Sequence, residues 1–238
     1  MFEQERGNLL QLFGVFLQNR FTFLIGRVNE RFDLVIDVSS DLFGIDVYKR
    51  QGMDGAVQRA EQLQAEHPGS FIPDQFGNPA NAMAHEKTTG PEILRDLDGE
   101  VDFFVAAVGT GGTLTGTGRA LKRACPACQV VAVEPAASPL LSQGVAGSHR
   151  IQGIGANFVP KVLDRSVIDE IIPVEDDAAF EMSRQLARTE GLLVGISAGA
   201  AVWAARALAM RPENRGKKIV VLLPDTGERY LSSGLYEV

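Results

Sequence analysis

Val101-Asp102-Phe103-Phe104-Val105-Ala106-Ala107-Val108-Gly109-Thr110-Gly111-Gly112-Thr113-Leu114-Thr115-Gly116 decides how this chain is read. Its first half is a near-continuous apolar run rich in Val and Phe, the pattern of a strand buried on both faces of a parallel sheet. Its second half is a Gly/Thr loop, followed by a helical pattern through Ala120, Leu121 and Ala124. Strand, glycine loop and helix in that order present several backbone N–H groups and a positive helix end to one anion. The glycines let the backbone close round a phosphate, and Thr110 and Thr113 add hydroxyl donors. Gly109, Thr110, Gly111, Gly112 and Thr113 therefore read as a phosphate cradle, the plainer alternative being a tight strand-to-helix turn.

The spacing bears on which phosphate. A dinucleotide fingerprint, G-x-G-x-x-G counted from Gly109, requires glycine at 114, where Leu114 stands; counted from Gly116, it requires glycine at 121, where Leu121 stands. Glu134, after the apolar run Val130 to Val133, does imitate the ribose-binding acid of a dinucleotide fold. The missing third glycine counts against that ligand. A single terminal phosphate, as on pyridoxal phosphate, fits better.

The sequence of 238 residues has room for one large α/β domain, or one domain and part of another. Hydrophobic content of 45% and charged content of 22% describe an ordinary globular protein, and a net charge of −7 argues against nucleic acid and anionic membrane surfaces as partners. The acidic opening Met1-Phe2-Glu3-Gln4-Glu5-Arg6 is no secretory signal, and the run Leu9 to Leu17 is too short to span a bilayer, so a cytoplasmic location is expected. The only cysteines, Cys125 and Cys128, form a C-x-x-C in the connection from a helix to the strand Gln129 to Val133. With no second pair, and with His67, His85 and His149 at no ligand spacing, a surface turn is the favoured reading over zinc or redox chemistry, and no metal site is expected.

Residues 1–51 differ from the rest. They hold Phe2, Phe13, Phe16, Phe21, Phe23, Phe32 and Phe43 of the chain's 13 phenylalanines. Phe21 to Ile25 and Phe32 to Val38 are candidate strands. The segment ends in Asp46-Val47-Tyr48-Lys49-Arg50-Gln51, which resembles one reading frame of a transposon end sequence. The expectation is a chimeric leader over 1–51 joined to a genuine gene fragment; an uninterrupted genomic locus across codon 51 would rule that out. From Gly52 the pattern becomes orderly. A helix through Ala56, Val57, Ala60 and Leu63 stops at His67-Pro68-Gly69, and Asp74 to Asn81 reads as a loop. Thr89-Gly90-Pro91-Glu92 opens another helix. After the central strand and helix come a strand over Val130–Glu134, a loop over Pro135–Gly155 and a helix capped by Asp176-Asp177. An Ala-rich helix to Met210 and a buried strand over Ile219–Leu223 follow. This alternation predicts an α/β fold with a doubly wound, mostly parallel sheet.

Seven stretches in register carry a resemblance over residues 52–238. They are Gln75-Phe76-Gly77-Asn78-Pro79-Ala80-Asn81, His85-Glu86-Lys87-Thr88-Thr89-Gly90-Pro91-Glu92-Ile93, Gly109 to Gly116, Val133-Glu134-Pro135, Gln152-Gly153-Ile154-Gly155-Ala156, Gly195-Ile196-Ser197-Ala198-Gly199-Ala200, and Leu223 to Ser232. In these the chain resembles the cysteine synthases (O-acetylserine sulfhydrylases), pyridoxal-phosphate enzymes of fold type II, the tryptophan synthase β-like architecture. The resemblance implies that Gly109 to Thr113 hold the cofactor phosphate and that Ser197 hydrogen-bonds the pyridine nitrogen; the alternative for Ser197 is the N-cap of the helix that follows. It also implies that Gln75 contacts substrate, against a plain loop hydrogen bond to backbone, and that Gly153-Ile154-Gly155 forms a flexible active-site loop with Gly153 at the substrate.

The implied reaction is β-replacement: O-acetylserine loses acetate and takes up sulfide to give cysteine. The family places its Schiff-base lysine in a Ser-Val-Lys-Asp-Arg type motif, and a Thr-Ser-Gly-Asn-Thr type loop grips the substrate carboxylate. This sequence contains neither. Its lysines are Lys49, Lys87, Lys122, Lys161, Lys217 and Lys218, none in such a context, so no catalytic residue is assigned and the chain alone is expected to be inactive. The expected division is a leader over 1–51, a small-domain remnant over 52–85, and a nearly complete cofactor-binding domain over 86–238. The family is usually a homodimer and forms complexes with serine acetyltransferase. Cystathionine β-synthase or serine dehydratase chemistry is the alternative within the class, and a non-catalytic phosphate-binding module the alternative outside it.

Overall fold

The computed structural model of the chain describes residues 46–236, with side chains for residue 53 and for 55–236. The candidate strands Phe21–Ile25 and Phe32–Val38, and residues 1–45 of the expected leader, lie outside the described residues. Residues 46–74 and 75–236 fall in different compact units and are taken separately.

In the first unit, helix α1 runs Asp46–Glu66. The sequence predicts this helix over Gly52–Glu66; it starts earlier, at Asp46, and passes through position 51 without a break. It ends where expected, with the His67 amide on the Leu63 carbonyl at 2.9 Å and Gly69 at φ +95°, just after Pro68.

The second unit is built on the quoted stretch. Strand β1 (Phe103–Ala107) is central and β2 (Gln129–Pro135) lies beside it in parallel, Phe103 opposite Gln129 and Val105 opposite Val131. β4 (Ile219–Val221) pairs parallel with the other side of β1, and β3 (Glu170–Val174) with the far side of β2. The sheet order is β3-β2-β1-β4. The chain thus steps outward from β1 in one direction and later returns to its opposite side. The strand order reverses at β1, and in such sheets ligands bind at the carboxyl end of that strand.

The apolar run of β1 is explained by cover on both faces. Phe103 and Val105 pack with Val131, Val133, Ile172, Val174 and the helices α6 (Asp176–Glu190) and α7 (Ile196–Ala209). Phe104 and Ala106 face the other way, onto Ile93 of α3 (Thr89–Asp96) and Leu114 and Leu121 of α4 (Gly112–Ala124). Phe104, Val105, Val130, Val131 and Val133 are all fully buried, each contributing about 1.5–3 kcal/mol of hydrophobic stabilisation. This is the doubly wound parallel α/β arrangement that the sequence predicts.

Three local expectations give way. Helix α2 (Ala80–Lys87) occupies the end of what reads as a loop. β3 is not legible because Pro173 interrupts it; the proline is tolerated because β3 is an edge strand. Asp176 and Asp177 do not cap α6, whose N-cap is Glu175 without a side-chain bond. Asp176 instead accepts the Arg150 amide at 2.8 Å, and Asp177 pairs with the Arg150 guanidinium, so both carboxylates tie down the chain just ahead of Gly153.

One ion pair fastens α4 to the crossover into β3. Arg119 reaches Asp164 Oδ2 through Nη2 at 2.7 Å and Nε at 3.1 Å, while Asp164 Oδ1 accepts from the Ser166 amide and hydroxyl. The Ser166 hydroxyl first, then the Arg119 guanidinium, hold the Asp164 carboxyl below the usual carboxylate range. A lowered folded pKa adds stability that is complete above the unfolded value of about 4 and is lost as pH falls through the folded value. Urea midpoints of wild type and Asp164→Asn are therefore expected to differ at neutral pH and to converge as pH falls through the lowered folded value.

Candidate cofactor site

β1 ends at Ala107, and the Val108 amide still bonds the Val133 carbonyl at 3.0 Å, so the chain leaves the sheet only at Gly109. Gly111 then takes φ +82° and becomes the N-cap of α4, with the Thr115 amide bonding its carbonyl at 2.9 Å. A side chain there would be strained and would also meet Leu163 at 2.8 Å. By helix geometry, the first-turn amides of Gly112, Thr113 and Leu114 have no intrahelical acceptor. They stand at the positive end of a 13-residue helix, where negative charge is favoured.

The loop is held from α2. Asn81 Nδ2 donates to Thr110 Oγ1 at 3.0 Å and to the Gln75 carbonyl at 2.8 Å, and the Gly112 amide reaches the same Thr110 oxygen at 3.3 Å. Having accepted from both, Thr110 keeps its hydroxyl proton to donate outward. His85, also on α2, bonds Thr113 Oγ1 through Nε2 at 3.1 Å and Thr89 Oγ1 through Nδ1 at 2.9 Å. Burial lowers the His85 pKa, so the ring is neutral and its tautomer decides whether the Thr113 proton is spent on it or free for a ligand. Neither Asn81 nor His85 is among the residues assigned from sequence, although both lie inside quoted stretches.

On the opposite side comes Gly153, at φ +90° between the buried Ile151 and Ile154. Its carbonyl lies against Gly109, where an added Cβ would come within 2.5 Å of it. The Gly155 amide bonds the Val108 carbonyl at 3.2 Å, and His149 Nε2 lies 3.0 Å from the Gly155 carbonyl. A Cβ on Gly153 would lie 3.8 Å from Ser197 Oγ. Gly109, Gly153 and Ser197 are thus neighbours at the carboxyl end of the sheet. Ser197 is not the cap of α7; that position is Gly195. Ser197 is 3% exposed, and its hydroxyl makes no hydrogen bond among the described residues. Gln75 comes to the loop through its backbone carbonyl, and its side chain is exposed.

Glu134 does not serve a ribose. It is 3% exposed, and its two oxygens accept from the Leu141 amide at 2.7 Å, the Ser142 amide at 3.1 Å and the Ser142 hydroxyl. The carboxylate is spent on the first turn of α5 (Leu140–Gln143). Of the lysines whose side chains are described, Lys122 pairs with Asp169, Lys217 with Asp102 and Lys218 with Glu100, while Lys87 and Lys161 are exposed. No group of three or more His, Cys, Asp or Glu among the described residues is arranged to hold a metal ion. Helix-end amides and the Thr110 hydroxyl, with the Ser197 hydroxyl on the far side of Gly153, are the donors that a phosphate joined to a small ring would use.

The family described as pyridoxal-phosphate dependent enzyme matches residues 39–225, a span that begins ahead of Gly52. The cysteine synthase of Staphylococcus aureus (strain Mu50 / ATCC 700699) is 51% identical over 187 residues, covering 78% of this chain and 60% of that protein. The solved cysteine synthase of Entamoeba histolytica superposes with a TM-score of 0.76 at 44% identity, covering 79% of this chain and 56% of that one. A hydrogen sulfide-producing enzyme from Fusobacterium nucleatum gives a TM-score of 0.73 at 46% identity, covering 76% and 61%. The chain thus spans about 60% of the length of the curated relatives it matches. With the fold, the glycine cradle and these likenesses together, the chain belongs to the pyridoxal-phosphate dependent enzyme family.

Proposed function

We propose that this chain is the cofactor-holding part of a cysteine synthase, which replaces the acetate of O-acetylserine with sulfide to give cysteine. One observation carries the reading: the Gly109–Thr113 loop and the buried Ser197 hydroxyl stand on either side of Gly153 at the carboxyl end of the sheet. In it the loop amides and Thr110 grip the phosphate, Ser197 orients the ring through its nitrogen, and Gly153 and Gln75 face the substrate. The pyridoxal ring, when bound, withdraws electrons from the substrate's α-carbon. A neutral serine at the ring nitrogen tempers that withdrawal relative to an aspartate, which suits loss of a β-leaving group. The proposal extends to the division of the chain into leader, small-domain remnant over 52–85 and cofactor domain over 86–238. It extends also to a cytoplasmic homodimer that associates with serine acetyltransferase.

A second reading has its own support. No described lysine is desolvated beside the cradle, so the isolated chain is expected to bind the cofactor without linking to it. Titration with pyridoxal phosphate, followed by borohydride reduction and peptide mass mapping, is expected to give saturable binding and no modified lysine. A stoichiometric adduct on one lysine would overturn that expectation. In the same titration Ser197→Ala is expected to weaken binding about tenfold, the worth of one buried hydrogen bond, with unchanged thermal stability. Unaltered affinity would remove Ser197 from the site.

A further inference from the structure

Cys125 and Cys128 sit at the end of the sheet opposite the cradle, in the turn from α4 into β2. Cys125 is the C-cap of α4, its amide on the Leu121 carbonyl at 2.7 Å, and the Cys128 amide closes the turn onto the Cys125 carbonyl at 2.9 Å. A four-residue turn closed by that bond keeps its end Cα atoms within about 7 Å, the range a disulfide requires. Both residues pack on one apolar cluster, and the Cys125 thiol donates to the Gly99 carbonyl at 2.7 Å on the wall of the groove. Both also line one surface groove of about 340 Å³, together with Gly99, Glu100, Asp102 and Lys218. The two thiols are free.

We propose that Cys125 and Cys128 form a dithiol site that exchanges with low-molecular-weight disulfides and closes to an intrachain disulfide. The order of attack follows from exposure. Cys125 is half-buried and reachable from the groove, whereas Cys128 is 2% exposed, and burial, with Cys125 next, pushes its thiol up to about 12. The Cys125 thiolate attacks one sulfur of the small disulfide, forming a mixed disulfide and expelling one small thiolate. Cys128 then loses its proton to solvent and attacks Cys125 Sγ, expelling the second thiolate. Two protein thiols are oxidised, and one small disulfide is reduced to two thiols.

The full native chain, treated with excess 5,5′-dithiobis(2-nitrobenzoate), tests this without ambiguity because it holds only two cysteines. Wild type is expected to release two nitrothiobenzoates per chain and to retain none, its mass falling by two hydrogens. Cys128→Ser is expected to release one and keep one bound at Cys125. Cys125→Ser is expected to react at least about tenfold more slowly than wild type until denatured. Wild-type protein that keeps bound nitrothiobenzoate, or that does not react while native, overturns the proposal; so does Cys125→Ser reacting at the wild-type rate. The wild-type mass alone decides the matter if either variant misfolds.

Discussion

Replacing Gly116 by alanine is expected to destabilise the chain by about 2–3 kcal/mol, although the same change in an open helix interior would stabilise it by about 1 kcal/mol. The reason is the crossing of α2 over α4. A Cβ on Gly116 would lie 2.0 Å from the Ala82 carbonyl oxygen, 2.8 Å from the Glu86 amide and 2.9 Å from His85 Cβ. Two of these are backbone atoms of a helix, which no rotamer change can move aside, so α2 as a whole must retreat. Asn81 and His85 ride on α2, and their bonds to Thr110 and Thr113 would be lost with it. A fall of about 5–10 °C in melting temperature is expected. Gly118→Ala, on the same helix, is the control: its Cβ meets only side-chain methyls, the nearest Val167 Cγ2 at 3.3 Å, and should cost far less. Equal stability of the two variants would remove the close helix crossing as the reason for Gly116.

Gly111→Asp is expected to abolish cofactor binding while the chain stays folded. Position 111 sits at φ +82°, which costs a non-glycine residue about 1–2 kcal/mol, and its Cβ would press on Leu163 at 2.8 Å. A carboxylate would also enter the first turn of α4, where the helix-end amides favour an external anion. Strain, lost amide contacts and like charge together are expected to weaken binding more than about a hundredfold in a fluorescence titration with pyridoxal phosphate. Gly111→Asn, which tolerates the left-handed region and carries no charge, should fall between wild type and aspartate. If all three bind alike, the phosphate is held elsewhere.

What could be read from the sequence was local and chemically unambiguous. An apolar strand meeting a Gly/Thr loop and an amphipathic helix gave β1, the cradle and α4, because each signal lies within one continuous segment. Glu134 imitates a ribose ligand in sequence, where only the missing third glycine argues against it; the structure adds the reason, three donors of α5 from seven and eight residues further on. Ser197 resembled a cap, and only the backbone at Gly195 frees its hydroxyl. Asn81 and His85 contact loop residues 29 and 28 positions away, a relation that no periodicity encodes. β3 was hidden by Pro173, since whether a strand is central or at an edge is a property of the assembled sheet.

The support that α2 lends the glycine loop has a consequence for transplantation. A cassette cut from residues 101–124 would carry every glycine and threonine of the cradle, yet without Asn81 to brace Thr110 and His85 to brace Thr113 it would arrive unshaped. Moving the loop onto a foreign scaffold would require importing the stretch from Gln75 onward as well, because the loop's shape is a joint property of two neighbouring helices.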